Sequence, residues 1–336
     1  DGWEAPRNIV SGKDWFVNWA DFPGLVAQDR GRLMAWWLQK SGEGTYAYDV
    51  MLTFSQDNGA HWSPPVKAHQ DSTQAEHGFV SAIPLPDGNF QIAWLDGRQM
   101  AASTPRHDHH NDGHGGPMSL RSAVFSPNGQ RRSSGPADLR VCDCCQTSMA
   151  LATSGPALVY RDRSETEVRD ISIVRRTDTG WTAPQPVHED GWQIDGCPVN
   201  GPQVVAMGDT LAVTWFTMAS GTPTVNVAFS YDGGATFTDP VRVGSDSTLG
   251  RLALAPGAAS GKVWLAWMAL EKEVGVLYVQ GVQADGPVGE AQKLGEVAGD
   301  RSSGFPRMVH DGQSLIIAWT AGERNDQQVL VKRIPL

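Results

Sequence analysis

Six times along this chain an aliphatic residue, a small or β-branched residue and an aromatic residue follow one another. The triplets are Met34-Ala35-Trp36, Ile92-Ala93-Trp94, Leu158-Val159-Tyr160, Val213-Thr214-Trp215, Leu265-Ala266-Trp267 and Ile317-Ala318-Trp319. Their aromatics stand 58, 66, 55, 52 and 52 residues apart. A period of that length marks an array of similar units, and it restricts the fold more than any other property of the sequence. Each triplet follows a glycine-bearing turn: Asp29-Arg30-Gly31, Pro86-Asp87-Gly88, Ser154-Gly155, Met207-Gly208-Asp209, Ser260-Gly261 and Asp311-Gly312. Strand, glycine turn and apolar strand make a hairpin. Six units of about 50 residues, each with room for about four strands, predict an all-β fold: a six-bladed β-propeller of four-stranded antiparallel blades. Six in-phase copies argue against a β-sandwich with chance similarity. Residues 1–336 then form one domain, where length alone suggests two. The apolar run from Gln328 to Ile334 is expected to pair with a strand near Arg7 to Val10, closing the ring and removing its free edges.

A second element follows the triplets. Ser55-Gln56-Asp57-Asn58-Gly59-Ala60-His61-Trp62 fits S-x-D-x-G-x-x-W, and Ser230-Tyr231-Asp232-Gly233-Gly234-Ala235-Thr236-Phe237 fits it with Phe in place of Trp. Weaker echoes occur at Ser126-Pro127-Asn128-Gly129, Asp178-Thr179-Gly180-Trp181 and Asp285-Gly286. The aspartate holds the backbone of a β-turn, glycine supplies positive φ, and the aromatic tucks under the hairpin. On these boxes and the six-fold period the chain resembles the sialidase-like, BNR-repeat propeller superfamily over nearly its whole length. The box is a structural motif and does not by itself establish an activity.

Counting back 15 to 18 residues from each aromatic gives the start of each blade's innermost strand, where side chains are expected to rim a central channel. These starts carry Trp19, near Asp21; His77, beside Glu76; Cys142, Cys144 and Cys145; Cys197 and Asn200; Arg251; and Ser303, Gly304 and Arg307. All four cysteines thus fall at one mouth, on two consecutive blades. Two readings stand side by side. One is a set of disulfides, with three possible pairings and strain at the adjacent pair Cys144–Cys145. The other is a soft-metal site, copper first and zinc as the alternative, with Cys142, Cys144, Cys145, Cys197 and His77 as ligands. A His-rich insertion, residues 101–118, adds His107, His109, His110 and His114, together with Met118, to the ligand types that suit copper. It reads equally as a polar loop.

The stretch Tyr160 to Asp170 alternates charges densely, as a solvated salt-bridged hairpin does. As a site it offers Arg161 to an anionic substrate and Asp162 or Glu167 as a general acid. The sialidase resemblance implies an arginine triad, a tyrosine–glutamate nucleophile pair and an aspartate acid/base. Arg251 and Arg307 stand at rim positions and are candidates for two members of that triad, with no third to assign. No Arg-Ile-Pro or Arg-Leu-Pro opens the first blade, however, and no tyrosine follows Tyr278.

Acidic residues outnumber basic ones, 37 to 27, for a net charge of −10. That disfavours nucleic-acid binding, which needs a basic footprint. No run approaches the 18 or more apolar residues of a membrane span. Three functions are compatible with these features. The first is an exported, periplasmic or secreted propeller holding copper at the Cys/His cluster, as a metal-dependent oxidoreductase or as a carrier. The second is a glycoside hydrolase acting on acidic sugars through Arg161, Asp162, Arg251 and Arg307. The third is a non-catalytic glycan or protein binder with structural disulfides. In each case a small-molecule or glycan ligand is expected at the channel, and a closed disc is expected to be monomeric.

Overall fold

The computed structural model of the chain describes residues 4–101, 116–257, 261–322 and 326–336. The chain has the six-bladed β-propeller fold, built of antiparallel sheets with almost no helix. It forms two compact units, divided after Leu139.

The first unit holds two four-stranded blades. One is β1 (Gly24–Gln28), β2 (Arg32–Lys40), β3 (Tyr48–Ser55) and β4 (Val66–Lys67). The other is β5 (His77–Pro84), β6 (Phe90–Asp96), β7 (Ser119–Phe125) and β8 (Arg131–Asp138). The second unit holds four blades. The third blade is β9 (Ser148–Ala152), β10 (Gly155–Arg161) and β11 (Ile171–Thr177), with an outer strand split into β12 (Gly180–Trp181) and β13 (Gln185–His188) that both pair with β11. The fourth is β14 (Gln203–Met207), β15 (Thr210–Thr217), β16 (Thr224–Ser230) and β17 (Val241–Val243). The fifth is β18 (Thr248–Pro256), β19 (Val263–Glu271), β20 (Val274–Gln283) and β21 (Gly286–Val297). The last blade has three strands, β22 (Arg307–His310), β23 (Ser314–Ala321) and β24 (Gln328–Pro335). Arg7 to Val10, expected to form a strand, are in none. Four residues that include Arg7 and Asn8, with Glu4 and Lys13 nearby, do not bury enough apolar surface to hold a strand.

The repeat aromatics all fall on the second strand of their blades, and all are buried, from 1% exposed at Trp94, Tyr160 and Trp215 to 8% at Trp36. A strand packed on both faces reads as a continuous apolar run, as in Phe90–Asp96, where every residue is buried. Within each unit the core lies between successive blades. Trp36, Leu52 and Phe54 pack with Phe90, Ile92 and Trp94 in the first unit. Phe229 and Val243 pack with Leu265 and Trp267 in the second.

The turn motifs form as their residues require. Ser230 Oγ lies 2.8 Å from Asp232 Oδ1, which accepts the backbone N–H groups of Ala235 and Thr236 at 2.9 Å each. Asp57 makes the matching bonds to Ser55 Oγ and the N–H of His61, both at 2.9 Å. Hydrogen bonds to the ionised form hold both carboxyls at about 2, led by Thr236 at Asp232 and by His61 at Asp57.

Candidate metal centre

The four cysteines lie on the segments that lead into β9 and β14. The first segment is anchored at one end, where the Cys142 N–H donates to the Arg161 carbonyl at the end of β10, 3.0 Å away. The second is laid against it by the Gly201 N–H, which donates to Gln146 Oε1 at 3.0 Å, and by the Val204 N–H, which donates to Ser148 Oγ at 3.1 Å. Gly201 is needed there: a Cβ would stand 2.0 Å from the Gln146 carbonyl oxygen. This close approach of two blades brings Cys197 to the other three.

The sulfurs make one connected group. Cys142 Sγ lies 3.8 Å from Cys144 Sγ and 3.6 Å from Cys145 Sγ. Cys142, Cys144 and Cys145 all lie within 4.8 Å of one another, as do Cys144, Cys197 and an Asp143 carboxylate oxygen. No pair is at the bonding distance of about 2.05 Å, and all four thiols are free. Cys142 and Cys145 are buried, Cys144 is half-buried and Cys197 is exposed, so the group is reached from solvent through Cys197.

The cluster is electrostatically uneven. Hydrogen bonds from Cys144 and Cys145 pull the Cys142 thiol well below its usual range, with help from Arg161. Cys197 is lowered as well, first by Cys144. Cys144 is pushed up by the thiols it serves, Cys142 foremost, and Cys145 is pushed up chiefly by burial. Arg169 adds positive charge, its Nη1 lying 3.4 Å from Cys142 Sγ and 3.4 Å from Asp143 Oδ1. Glu167 fixes that guanidinium, with Arg169 Nη2 donating to Oε2 at 2.7 Å, and Arg163 holds Glu167 from the other side at 2.8 Å. The charged hairpin read from the sequence is thus a salt-bridged brace beside the sulfurs. Arg169 is the residue beside the sulfurs that the sequence reading did not single out; its alternation with Glu167 was the available signal.

The residues read as candidate catalytic groups make the following contacts. Arg161 is 1% exposed, and its guanidinium donates to backbone carbonyls only: Asn200 O at 2.9 and 3.2 Å, Arg169 O at 2.6 Å and Phe216 O at 2.7 Å. Its face stacks on Trp192, 4.9 Å from the ring centroid. Asp162 accepts from Ser172 Oγ at 2.9 Å and from the Arg163 N–H at 2.7 Å. Arg251 is buried and donates to Asp300 O at 2.6 Å and to Ser303 Oγ. Arg307 opens β22 and is exposed. Phe79, Val199 and Arg251, near the starts of innermost strands, all have positive φ. His107, His109, His110 and His114 lie outside the described residues.

His77 belongs to the first unit and is fully buried there in a charged network. Its ring stacks on His69 at 3.7 Å and 8°. Nδ1 lies 3.1 and 3.2 Å from the Ala75 and Tyr48 carbonyls and so carries the hydrogen. Nε2 faces Asp71 Oδ2 at 3.4 Å and Asp96 Oδ2 at 3.7 Å without a hydrogen bond. Stacked rings leave no point in both ring planes for one ion to meet both nitrogens. The cations here are side chains: Arg98, 2.6 Å from Asp96 and 3.0 Å from Asp71, and Lys67, 2.5 Å from Asp49. Burial alone would raise Asp71, but His77, His69 and Arg98 outweigh it and bring the carboxyl to about 2.

A second buried group in this unit joins Asp21, Tyr48 and Glu76. Tyr48 Oη lies 2.8 Å from Asp21 Oδ2 and 2.9 Å from Glu76 Oε1, and Asp21 Oδ1 accepts the Phe79 N–H at 2.9 Å. Burial pushes the Asp21 carboxyl up to about 7, against the hydrogen bonds from Tyr48, Phe79 and Phe22. Burial also raises Tyr48, which makes it a poor nucleophile. Folding favours protonated Asp21. That stability is whole below the unfolded carboxyl value of 3.8 and is lost as pH rises through about 7. In Asp21→Asn the amide reproduces the protonated acid. Urea melts from pH 4 to pH 7 are then expected to lose one proton's slope, about 1.4 kcal/mol per pH unit. Identical pH profiles for both proteins would contradict this.

Comparison with known proteins places the fold. No protein-family model and no curated protein sequence matches the chain. Among solved structures, AofleA from Arthrobotrys oligospora is similar at TM-score 0.57 and 10% identity, covering 96% of this chain and 88% of that one. The phage phi92 endosialidase is similar at 0.56 and 11%, covering 97% and 68%. The Aleuria aurantia fungal lectin, described as a six-bladed β-propeller, is similar at 0.51 and 9%, covering 96% and 97%. At such identities the likeness is one of architecture: the chain is a six-bladed β-propeller.

Proposed function

We propose that this propeller holds a soft metal ion, copper(I) with zinc(II) as the alternative, through Cys142, Cys144, Cys145 and Cys197. The observation that carries the reading is the sulfur spacing. Sulfurs bound at about 2.3 Å to one tetrahedral ion stand about 3.8 Å apart, and Cys142 stands 3.8 and 3.6 Å from its two neighbours. Thiolate ligands select soft ions. Arg161 and Arg169 offset the negative charge that a thiolate complex leaves on its ligands. Cys197, at the surface, is the first ligand met by an incoming ion, and buried Cys145 is the last. An all-sulfur donor set favours the reduced state of copper, so storage or delivery of the ion fits better than redox turnover. A periplasmic or secreted setting accompanies this reading.

Carbohydrate chemistry is the second reading, supported by propeller neighbours that include an endosialidase and a fucose-recognising lectin. A hydrolase centre built on Arg161 and Arg251 has less support, because main-chain carbonyls already occupy much of the Arg161 guanidinium and Arg251 Nη1 already donates to the Asp300 carbonyl and Ser303 Oγ.

Elemental analysis of protein purified without chelator tests the metal reading. Copper or zinc is expected to stay with the wild type through desalting at about one ion per chain. It is expected to be lost from Cys197→Ser, whose circular dichroism and melting stay those of the parent. Four blocked sulfurs on unfolded, unreduced protein would establish disulfides and overturn the reading.

A further inference from the structure

The four sulfurs are shielded to different depths. Cys142 and Cys145 are 1% and 2% exposed, Cys144 is half-buried and Cys197 is exposed. Cys197 is therefore the sulfur that a dissolved reagent meets first. Its side chain still points at the other cysteine segment. Its Sγ lies 4.0 Å from Asp143 Oδ1, and Cys144, Cys197 and Asp143 bring one atom each within 4.8 Å of one another. A disulfide holds its sulfurs about 2.05 Å apart, so a movement of less than about 3 Å joins Cys144 to Cys197.

The Cys197 side of that gap has room to move. Its segment is anchored where the Ile194 N–H donates to the Glu167 carbonyl at 3.0 Å, and again where the Gly201 N–H meets Gln146 Oε1. Between these anchors Gly196 faces open space: a Cβ there would meet only an Ile194 side-chain atom, 3.8 Å away. The pairing is also selective. Cys144 and Cys145 are adjacent, and a bond between them would be strained. Cys142 and Cys145 lie 3.6 Å apart, but both are buried. Cys197 and Cys144 alone among the four combine access with proximity.

We propose that Cys197 and Cys144 form a reversible disulfide by exchange with a low-molecular-weight disulfide, RSSR, and that this bond expels the metal ion. The Cys197 thiolate attacks one sulfur of RSSR; a bond forms to Cys197 and RS⁻ leaves. The Cys144 thiolate then attacks Cys197 Sγ; the intramolecular bond forms and the second RS⁻ leaves. The two cysteine protons end on the departing thiolates. Two cysteine thiols are oxidised and one RSSR is reduced to two RSH. The thiolate is the metal ligand, so the bond withdraws two of four donors at once. By the same competition a bound ion protects both thiols. The expulsion rests on the metal reading above; the pairing does not.

The test treats the reduced whole chain, with and without zinc, with oxidised glutathione. Zinc is the probe because its own oxidation state does not change. Mass spectrometry maps the bonds, and a chromophoric chelator reads free zinc. In metal-free protein one bond is expected, Cys144 to Cys197, with Cys142 and Cys145 still open to alkylation. In zinc-loaded protein the bond is expected to form more slowly, with zinc released in step and rebound after dithiothreitol. Cys144→Ser is expected to stop with glutathione on Cys197. Cys197→Ser is expected to slow oxidation of the remaining cysteines by about tenfold or more. A bond confined to Cys142 and Cys145, no bond at all, or the parent rate in a folded Cys197→Ser variant would each overturn the pairing. A mapped Cys144–Cys197 bond with zinc still held would overturn the expulsion and leave the metal reading intact. Zinc that never binds the reduced chain would overturn the metal reading and the expulsion together, while the map still judges the pairing.

Discussion

Arg161→Ala is expected to destabilise the second unit by about 3–5 kcal/mol, the range found when one partner of a buried charged cluster is removed. The guanidinium makes four hydrogen bonds to three main-chain carbonyls that belong to the segment before β11, the segment before β14 and the end of β15. Alanine leaves those oxygens buried and unpaired, at a cost of about 1–3 kcal/mol for such a group. It also removes the cation from the face of Trp192 and from the neighbourhood of the cysteines. Arg161→Lys keeps the charge but not the planar fork, and is expected to recover less than half of the loss. Urea denaturation reads the effect as a lower midpoint at unchanged slope. A catalytic arginine would behave differently: the variant would melt like the parent while turnover disappeared. That result would return Arg161 to the substrate-binding role.

Trp94→Ala is expected to cost about 3–5 kcal/mol in the first unit. The indole is 1% exposed, packs with Met34, Trp36, Phe90 and Ile92, and donates from Nε1 to Asp96 Oδ2 at 2.8 Å. Truncation opens a cavity between two blades and strips a hydrogen bond from a carboxylate that also anchors Arg98. Trp94→Phe fills much of the volume and loses only the bond, so it should fall between alanine and the wild type. Thermal melting of the three proteins checks the order. Equal melting temperatures would mean that the repeat aromatic is not a packing residue, which would undo the blade register.

Much of the site was legible before any coordinates. The phase of the repeat placed Cys142, Cys144, Cys145 and Cys197 at equivalent positions of two consecutive blades, and the sulfurs do meet. The same phase marked His77 and Arg251, and the charged stretch after Tyr160 marked Arg161, but position along a strand does not say what a side chain meets. His77 lies in a network with Asp49 of β3 and with His69 and Asp71 of the connection after β4, none of which carries a repeat signal. Arg161 turned out to be spent on carbonyls, a kind of partner that leaves no mark in a sequence. Tyr48 was unremarkable as a strand residue until Asp21 and Glu76 closed on its hydroxyl.

The sequence by itself determined the number of blades, the strand that carries each buried aromatic, the aspartate-held turns and the cysteines' shared level. Each of these follows from local periodicity, which acts over a few residues. Tertiary structure decided which charges are neutralised and how far apart the sulfurs stand. Those outcomes depend on contacts between residues tens of positions apart, where a shift of one ångström separates a bond from a gap.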